Sequence, residues 1–178
     1  MFVFVGGSSR DTNEKCFVCA AQSIGEFIAD KGHNLVFGGC NKGLMGETYR
    51  KAIKGPNSKV YAILASEYED DLKEIEYHTA YLMDTINQRK DAMLKLADAA
   101  VFLPGGIGTI DEIMTTLEAI RAKQYSGKMV ILNLGGYYDH LIHQLSYARW
   151  KGFSEEPDVY CRIFNNVSDA IHYLDDTV

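Results

Sequence analysis

Short runs of consecutive apolar residues alternate along this chain with longer segments in which apolar and polar positions recur at helical spacing. The runs predict strands at Phe2–Val5, Asn34–Phe37, Lys59–Leu64, Thr79–Leu82, Ala99–Leu103, Met129–Leu132 and Tyr160–Phe164. The segments between them predict helices at about Asn13–Lys31, Leu44–Ile53, Thr85–Leu96, Thr109–Lys123, Tyr137–Lys151 and Val167–Leu174. Continuous apolar runs are typical of strands covered on both faces. Because strands and helices alternate with short connections, the pattern predicts an α/β fold with a doubly wound parallel sheet.

The length and composition fit one globular domain. The chain has 178 residues, 47% of them hydrophobic and 24% charged, and contains no internal repeat, linker or low-complexity tract. We therefore expect residues 1–178 to form a single domain. No segment approaches the ~20 apolar residues of a membrane span. The N-terminal MFVFVGG is better explained as a first strand than as a signal sequence. We expect no membrane partner and a cytoplasmic location.

The net charge and the cysteines narrow the possible partners. A net charge of −6 disfavours nucleic acid, whose phosphates need a basic surface, but permits a small anion in a locally positive pocket. Cys16 and Cys19 form a C-x-x-C inside an apolar helical stripe, and we expect buried structural thiols there rather than a redox pair. His140 and His143 have helical spacing without a nearby Glu, which predicts a solvated face. We expect neither a metal site nor a cofactor.

Three corners that follow predicted strands are rich in glycine and small polar residues: Gly6–Ser9, Gly38–Gly43 and Leu103–Gly108. In doubly wound sheets, ligands bind beyond the carboxyl ends of the strands, near the point where the strand order reverses. These corners are therefore the candidate ligand sites. Ser8 and Ser9 suit hydrogen bonding to phosphate or ribose, or a simple turn.

The stretch LPGGIGTIDE allows two interpretations. Gly105, Gly106 and Gly108 permit positive φ and close approach of a ligand, and free N–H groups at the start of the next helix would suit a phosphate. Thr109 and Glu112 also fit a capping box, in which the Glu side chain only reaches back to a backbone N–H. Both interpretations remain open at this level.

The predicted helix Thr85–Leu96 carries two cations on its apolar side. Thr85 and Gln88 suit a capping box at its start, and Arg89 and Lys90 fall within the apolar arc. Inward cations are costly unless an anion meets them, although long side chains can also run along the core to water. The position of this pair near the ligand end of the sheet favours an anion.

Other common nucleotide and hydrolase motifs do not fit. A dinucleotide fingerprint would need glycine where Asp111 stands, and the Lys and Ser/Thr of a phosphate-binding loop are replaced by Leu44 and Met45 after Gly43. No G-x-S-x-G elbow is present. Hydride transfer and phosphoryl transfer therefore have little support.

The corners together resemble the Lonely Guy (LOG) family, the cytokinin riboside 5′-monophosphate phosphoribohydrolases. Pro104–Glu112 (PGGIGTIDE) fits that family's P-G-G-x-G-T-x-x-E signature, and Ile86–Lys90 is similar to its M-x-x-R-K. Phe37–Gly46 is similar to its Y-G-G-G…G-L-M-G, Gly7–Ser9 to its G-S-S, and Asn133–Asp139 to its L-N-x-x-G-Y-Y-D. The resemblance runs in order along nearly the whole chain.

The resemblance implies a Rossmann-like fold, a homodimer, and hydrolysis of the N-glycosidic bond of a nucleoside 5′-monophosphate. The products are a free base and ribose 5-phosphate, and the substrate is AMP or a cytokinin riboside 5′-monophosphate. The family's functional Arg and Glu correspond to Arg89 and Glu112. Its substrate-binding positions correspond to Ser9, Gly39, Met45, Lys90, Gly105, Gly106, Gly108 and Thr109. Members are often labelled lysine decarboxylases, but nothing in this sequence supports a pyridoxal phosphate site.

Two departures and one alternative bear on this expectation. Ile86 stands in place of Met, and Cys40 in place of a Gly beside the expected pocket. The acidic segment at residues 66–77 is expected to border the base site, so it affects the choice of base more than the type of reaction. The alternative is a non-catalytic nucleotide or pterin-cofactor carrier, since such carriers have a similar phosphate corner.

Overall fold

The computed structural model describes residues 1–176, in which seven parallel strands form one sheet with helices on both faces. The strands are β1 (Phe2–Gly6), β2 (Asn34–Phe37), β3 (Val60–Ala65), β4 (Thr79–Met83), β5 (Ala99–Phe102), β6 (Lys128–Leu132) and β7 (Arg162–Phe164). The α-helices are α1 (Lys15–Asp30), α2 (Gly43–Ala52), α3 (Ile86–Leu96), α4 (Ile107–Arg121), α5 (Asp139–Trp150) and α6 (Val167–Asp175). Short 3₁₀ segments lie at Ser66–Glu74, Leu134–Gly136 and Pro157–Val159.

The apolar pattern predicted the elements correctly. Each predicted strand and helix is present, and no boundary differs from the prediction by more than two residues. The sheet order is β4-β3-β2-β1-β5-β6-β7, so the α/β doubly wound parallel sheet is confirmed. The 3₁₀ segment at Ser66–Glu74 was not predicted, because its acidic residues show no apolar periodicity and none of them is buried.

Alternate residues of β1 pack into separate cores on the two faces of the sheet. Val3 and Val5 join a cluster with residues of α1, α2 and α6, whereas Phe4 joins a cluster with residues of α3 and α4. This alternation follows from the period-2 geometry of a strand. Both faces are covered, which explains why the strands are continuous apolar runs.

The strand order reverses at β1, which pairs with β2 on one side and with β5 on the other. The last residue of β1, Gly6, lies beside Phe102, the last residue of β5. The glycine-rich corners that follow β1, β2 and β5 therefore meet at one edge of the sheet. This is the place where a ligand is expected in a doubly wound fold.

The prediction for the C-x-x-C was wrong, because Cys16 and Cys19 are both exposed. The buried face of α1 is formed by residues farther along the helix, from Ala20 to Ile28. Cys19 lies nearly opposite that face, and Cys16 lies at its margin in the first turn. His140 and His143 are exposed on α5 as predicted. Within residues 1–176, no helix is both long and apolar enough to cross a bilayer.

Candidate active site at the carboxyl edge of the sheet

The β1 corner lies between the other two corners and is bonded to both. The Ser8 amide donates to the Pro104 carbonyl oxygen (3.0 Å), and the Met45 amide donates to the Ser8 carbonyl oxygen (3.3 Å). The Gly43 amide, at the start of α2, donates to the Asp11 carboxylate (3.0 Å). These bonds connect three corners that are far apart in sequence into one surface.

Helix α4 begins at Ile107, two residues earlier than predicted, and the capping interpretation of Glu112 was wrong. Gly106 is the N-cap residue and no side chain caps the helix. Thr109 lies in the first turn instead of at the cap, and its side chain and that of Glu112 are buried. The first amides of a helix lack intrahelical partners, so the N–H groups of this turn are free for a ligand.

The three glycines of this turn differ in their surroundings. A Cβ at Gly105 would overlap the Thr109 hydroxyl, so only glycine permits this contact. Among residues 1–176, a Cβ at Gly106 or Gly108 would meet no atom within 4 Å apart from its chain neighbours and the backbone of its own helix, and both glycines are exposed. The Gly105 position is therefore required by internal packing, whereas Gly106 and Gly108 leave open space above the helix start.

Helix α3 points both of its inward cations at carboxylates. The Arg89 guanidinium donates through Nε to the Ile63 carbonyl oxygen (3.1 Å) and through Nη2 to Glu112 Oε1 (3.2 Å). The Lys90 ammonium donates to Asp111 Oδ2 (2.7 Å). The Arg89 and Glu112 side chains are only 16% and 8% exposed, so Glu112 is buried and Arg89 is largely shielded from solvent. The inward direction predicted for both cations is confirmed, and neither runs out to water.

The Thr85 cap predicted at the start of α3 is present, but the Gln88 side chain bonds to the Asp84 amide instead of the Thr85 amide of a capping box. The Thr85 hydroxyl accepts from the Gln88 amide (3.2 Å), and the Gln88 side chain accepts from the Asp84 amide (3.0 Å). This capping fixes the first turn of the helix, from which Arg89 extends.

Two glycines, Gly6 and Gly38, make room for the Arg89–Glu112 pair, a role that the sequence pattern does not reveal. A Cβ at Gly6 would meet Glu112 Oε2 at 2.8 Å, and a Cβ at Gly38 would overlap the Arg89 guanidinium. The pair therefore lies directly against the ends of β1 and β2. The sequence signals these two positions only weakly. Gly6 is the last residue of β1, and Gly38 is the first residue after β2.

Burial raises the pKa of Glu112, and the nearby Arg89 guanidinium is the largest influence that lowers it. Asp111 also raises the pKa of Glu112, while Lys90 lowers it. A carboxyl group in this setting accepts a proton more readily than an exposed one and, when ionised, can stabilise a positive centre that enters the pocket.

The remaining expected binding residues lie on the same edge of the sheet. Gly39 is buried with φ +78°, a backbone conformation that favours glycine. Ser9 is exposed in the β1 corner, and Met45 is half-buried in the first turn of α2. The Asn41 side chain donates to the Glu74 carbonyl oxygen (3.1 Å), which places the acidic Ser66–Glu74 segment against the β2 corner.

Metal ligands are not grouped in the described part of the chain: within residues 1–176, no three His, Cys, Asp or Glu side chains are placed to share an ion.

The sequence is similar to one family and to several enzymes. A family model described as "Possible lysine decarboxylase" matches residues 43–174. A cytokinin riboside 5′-monophosphate phosphoribohydrolase of Rhodococcoides fascians is 31% identical over 136 residues, which cover 75% of this chain and 68% of that protein. One of Arabidopsis thaliana is 29% identical over 154 residues, covering 85% of this chain and 65% of that protein. A probable one of Oryza sativa subsp. japonica is 29% identical over 151 residues, with the same two coverages of 85% and 65%. The chain thus spans less than two thirds of the length of either plant protein.

Solved structures with the same fold include cofactor-binding proteins. A molybdenum cofactor carrier protein from Chlamydomonas reinhardtii matches with a TM-score of 0.70 at 19% identity, covering 98% of this chain and 96% of that one. A molybdenum cofactor binding protein from Rippkaea orientalis matches with a TM-score of 0.65 at 19% identity, covering 98% of this chain and 94% of that one. At these identities the likeness shows a shared Rossmann-like fold and says nothing of a shared ligand.

Proposed function

Because the chain belongs to the LOG family, whose model is described as "Possible lysine decarboxylase", we propose that it hydrolyses the N-glycosidic bond of a nucleoside 5′-monophosphate. The products are the free base and ribose 5-phosphate. The observation that carries this proposal is the buried Arg89–Glu112 pair beside a glycine-rich helix start, at the point where the strand order reverses.

The start of α4 binds the 5′-phosphate in this proposal. The free amides of the first turn and the helix dipole both favour an anion. Gly106 and Gly108 leave space for the phosphate oxygens to approach the backbone, and the Thr109 hydroxyl lies at the same turn. Binding energy from this non-reacting phosphate would position the glycosidic bond in the pocket.

Glu112 acts on the sugar and on water. Cleavage of an N-glycosidic bond develops positive charge at the anomeric carbon. The ionised carboxylate stabilises that charge and orients a water molecule, whose oxygen bonds to the anomeric carbon as the bond to the base nitrogen breaks. One proton of the water is accepted by Glu112, which then passes it through solvent to the nitrogen of the departing base and becomes a carboxylate again.

Arg89 favours the ionised form of Glu112 and holds the substrate in this proposal. Its guanidinium lowers the pKa of Glu112 against the effect of burial. It is fixed by its bonds to the Ile63 carbonyl oxygen and to Glu112, and its N–H groups that bond to neither within residues 1–176 can meet a phosphate oxygen or ribose hydroxyls. Lys90 is paired with Asp111 and adds positive charge at the same place.

We also propose a homodimer formed through α3 and α4. Ile107, Ile110 and Met114 form an exposed apolar row on α4, and Ile86 is exposed at the start of α3. Ile107 is 88% exposed although it is the first residue of α4, directly beside Gly108. A second copy covering this row would bury apolar surface and close one side of the phosphate site. Replacing Met114 with Asp is expected to produce monomers in light scattering, and an unchanged mass would contradict this interface.

Hydrolysis is tested by incubating the full chain with a panel of nucleoside 5′-monophosphates and measuring free ribose 5-phosphate. We expect release from at least one monophosphate and little from the matching nucleosides. Glu112→Gln and Arg89→Ala are each expected to reduce turnover by at least ~10²-fold with the fold intact by circular dichroism. Tight binding of a nucleotide without release of ribose 5-phosphate would contradict hydrolysis and favour the carrier alternative.

A further inference from the structure

Four consecutive carbonyl groups of the β5–α4 turn, from Leu103 to Gly106, each accept a hydrogen bond. The bonds are Tyr138 hydroxyl to Leu103 oxygen (2.8 Å), Ser8 amide to Pro104 oxygen (3.0 Å), Tyr137 hydroxyl to Gly105 oxygen (2.8 Å) and Ile110 amide to Gly106 oxygen (3.0 Å). The carbonyl side of this turn is thus held by donors at each residue.

Fixing the carbonyl side also fixes where the amides point. In a trans peptide the C=O and the following N–H point in opposite directions. The peptide whose oxygen accepts from Tyr137 therefore aims the Gly106 N–H away from the tyrosine. Within residues 1–176, the Gly106 amide donates to no other protein group, whereas the Gly105 amide is directed at the Tyr138 hydroxyl. The Gly106 amide thus remains available on the side of the turn that carries the open space at Gly106 and Gly108.

Tyr137 differs from the other three donors because it is an exposed side chain rather than a backbone amide or a buried phenol. Its residue is 45% exposed, whereas Tyr138 is 2% exposed. The Tyr137 ring packs edge-on against Phe17 of α1, with ring centres 5.6 Å apart, and against Tyr138 at 4.9 Å. These contacts hold its hydroxyl against the turn from outside the core.

The loop that carries Tyr137 is itself ordered by a side chain at the end of β6. The Asn133 side-chain oxygen accepts from the Tyr138 amide (2.7 Å), and its nitrogen donates to Asp139 Oδ1 (2.8 Å). The strand adjacent to β5 therefore supplies the group that orients the turn after β5. This network gives Tyr137 a fixed position without any contact to Arg89 or Glu112.

We propose that Tyr137 is a positioning residue for an anion, and that its hydroxyl, acting through the Gly105 carbonyl, aims the Gly106 N–H at a phosphate monoester. The inference rests on the proposed function for the identity of the substrate, but the orientation of the amide stands on the structure alone. Tyr137 itself does not touch the reacting atoms.

The test compares Tyr137→Phe, which removes only the hydroxyl, with Tyr147→Phe. This second variant makes the same change at another exposed tyrosine, which lies in α5. We expect Tyr137→Phe to raise KM for a nucleoside 5′-monophosphate about tenfold, the loss of one oriented donor to a charged group. Turnover at saturation should change less than threefold, and the slow reaction of the matching nucleoside should not change. Tyr147→Phe should match the parent in all three values.

A second readout does not depend on hydrolysis. Inorganic phosphate is titrated into the ¹⁵N-labelled full chain while the Gly106 amide signal is followed. Tyr137→Phe should move that signal before phosphate is added and raise the dissociation constant about tenfold. If the parent binds phosphate through Gly106 but releases no ribose 5-phosphate, the proposed function fails while the positioning role stands. Equal phosphate affinity in the parent and Tyr137→Phe, or equal losses on nucleotide and nucleoside, would overturn the positioning role.

Discussion

Replacing Arg89 with Met removes the guanidinium from a buried ion pair while keeping most of the apolar length of the side chain. Nη2 of Arg89 and Oε1 of Glu112 are 3.2 Å apart, and both side chains are largely shielded from solvent. Two unit charges at this distance interact by about 5 kcal/mol at an effective dielectric constant of 20 and by about 1.3 kcal/mol in bulk water. The burial of the pair places its interaction toward the larger value.

The two single substitutions should differ in cost because burial opposes the charge of Glu112. Arg89→Met leaves a buried carboxylate without its partner, and we expect the free energy of unfolding to fall by about 3 kcal/mol at pH 8. Glu112→Gln removes that charge but keeps an oxygen that can accept from Nη2, so we expect a loss of about 1 kcal/mol or less. The double variant should lose about 2 kcal/mol, which gives a coupling energy of about 2 kcal/mol between the two residues.

The direction of the Glu112 pKa shift determines how the free energy of unfolding changes with pH. Burial raises the folded-state pKa of Glu112 above its ordinary value of 4.5, so the folded protein holds this proton more tightly than the unfolded chain. Stability from this group is then complete below pH 4.5 and is lost as the pH rises through the folded-state pKa. Arg89→Met removes the largest influence that lowers this pKa. The free energy of unfolding that this variant loses should therefore increase as the pH rises. The loss caused by Glu112→Gln should not depend on pH in this way, because the variant has no carboxyl group at position 112.

Urea unfolding of the parent, both single variants and the double variant, followed by circular dichroism at pH 5 and pH 8, supplies the measurement. Additivity of the two substitutions within about 0.5 kcal/mol at pH 8 would refute the reasoning, because the two charges would then not interact in the folded state. A cost of Arg89→Met that is the same at both pH values would refute the assignment of that cost to the Glu112 carboxylate.

Further predictions concern the glycines of α4 and the thiols. Gly108→Ala should stabilise the protein by about 0.5–1 kcal/mol, because the added methyl group meets open space in a helix, yet raise KM for the monophosphate if the ligand approaches there. Gly105→Ala should instead lower the melting temperature, because its methyl group would overlap Thr109, and calorimetry with steady-state kinetics on both variants distinguishes these effects. A thiol reagent should label Cys16 and Cys19 in the native protein but reach Cys161 only after unfolding, since Cys161 is buried and burial raises its pKa to about 11. Native labelling of Cys161 by mass spectrometry would contradict that burial.

The apolar pattern was sufficient for the fold because the strands are buried on both faces. A run such as Ala99–Phe102 contains no polar residue, so its assignment to a buried strand is unambiguous. Because strands alternate with helices, only a few sheet topologies are possible. The meeting of the glycine corners followed from the same rule, since the parallel strands β1, β2 and β5 end at one edge.

The role of Glu112 could not be predicted from local sequence, because the spacing from Thr109 satisfies a helix cap and a binding site equally well. The outcome depends on where α4 begins, and its start at Ile107 places Thr109 in the first turn, packed tightly on Gly105. The fit of the Arg89 guanidinium against Gly38 is likewise a contact between distant segments. Cys19 was misplaced for a related reason: it was assigned to the apolar stripe of α1, but the sheet covers the other side of that helix.

The burial that makes Glu112 costly to the fold is also what suits it to the proposed reaction. A carboxylate that water solvates poorly gains more from a positive centre placed beside it than an exposed one would. Without Arg89, the same burial would raise the pKa of Glu112 further and so disfavour the ionised form that stabilises that charge and accepts a proton from water. In the proposed reaction Arg89 and Glu112 therefore act together, because the guanidinium favours the ionised form that burial opposes. Gly6 and Gly38 are part of this arrangement as well, because a side chain at either position would move one of the two charges away from the ends of β1 and β2.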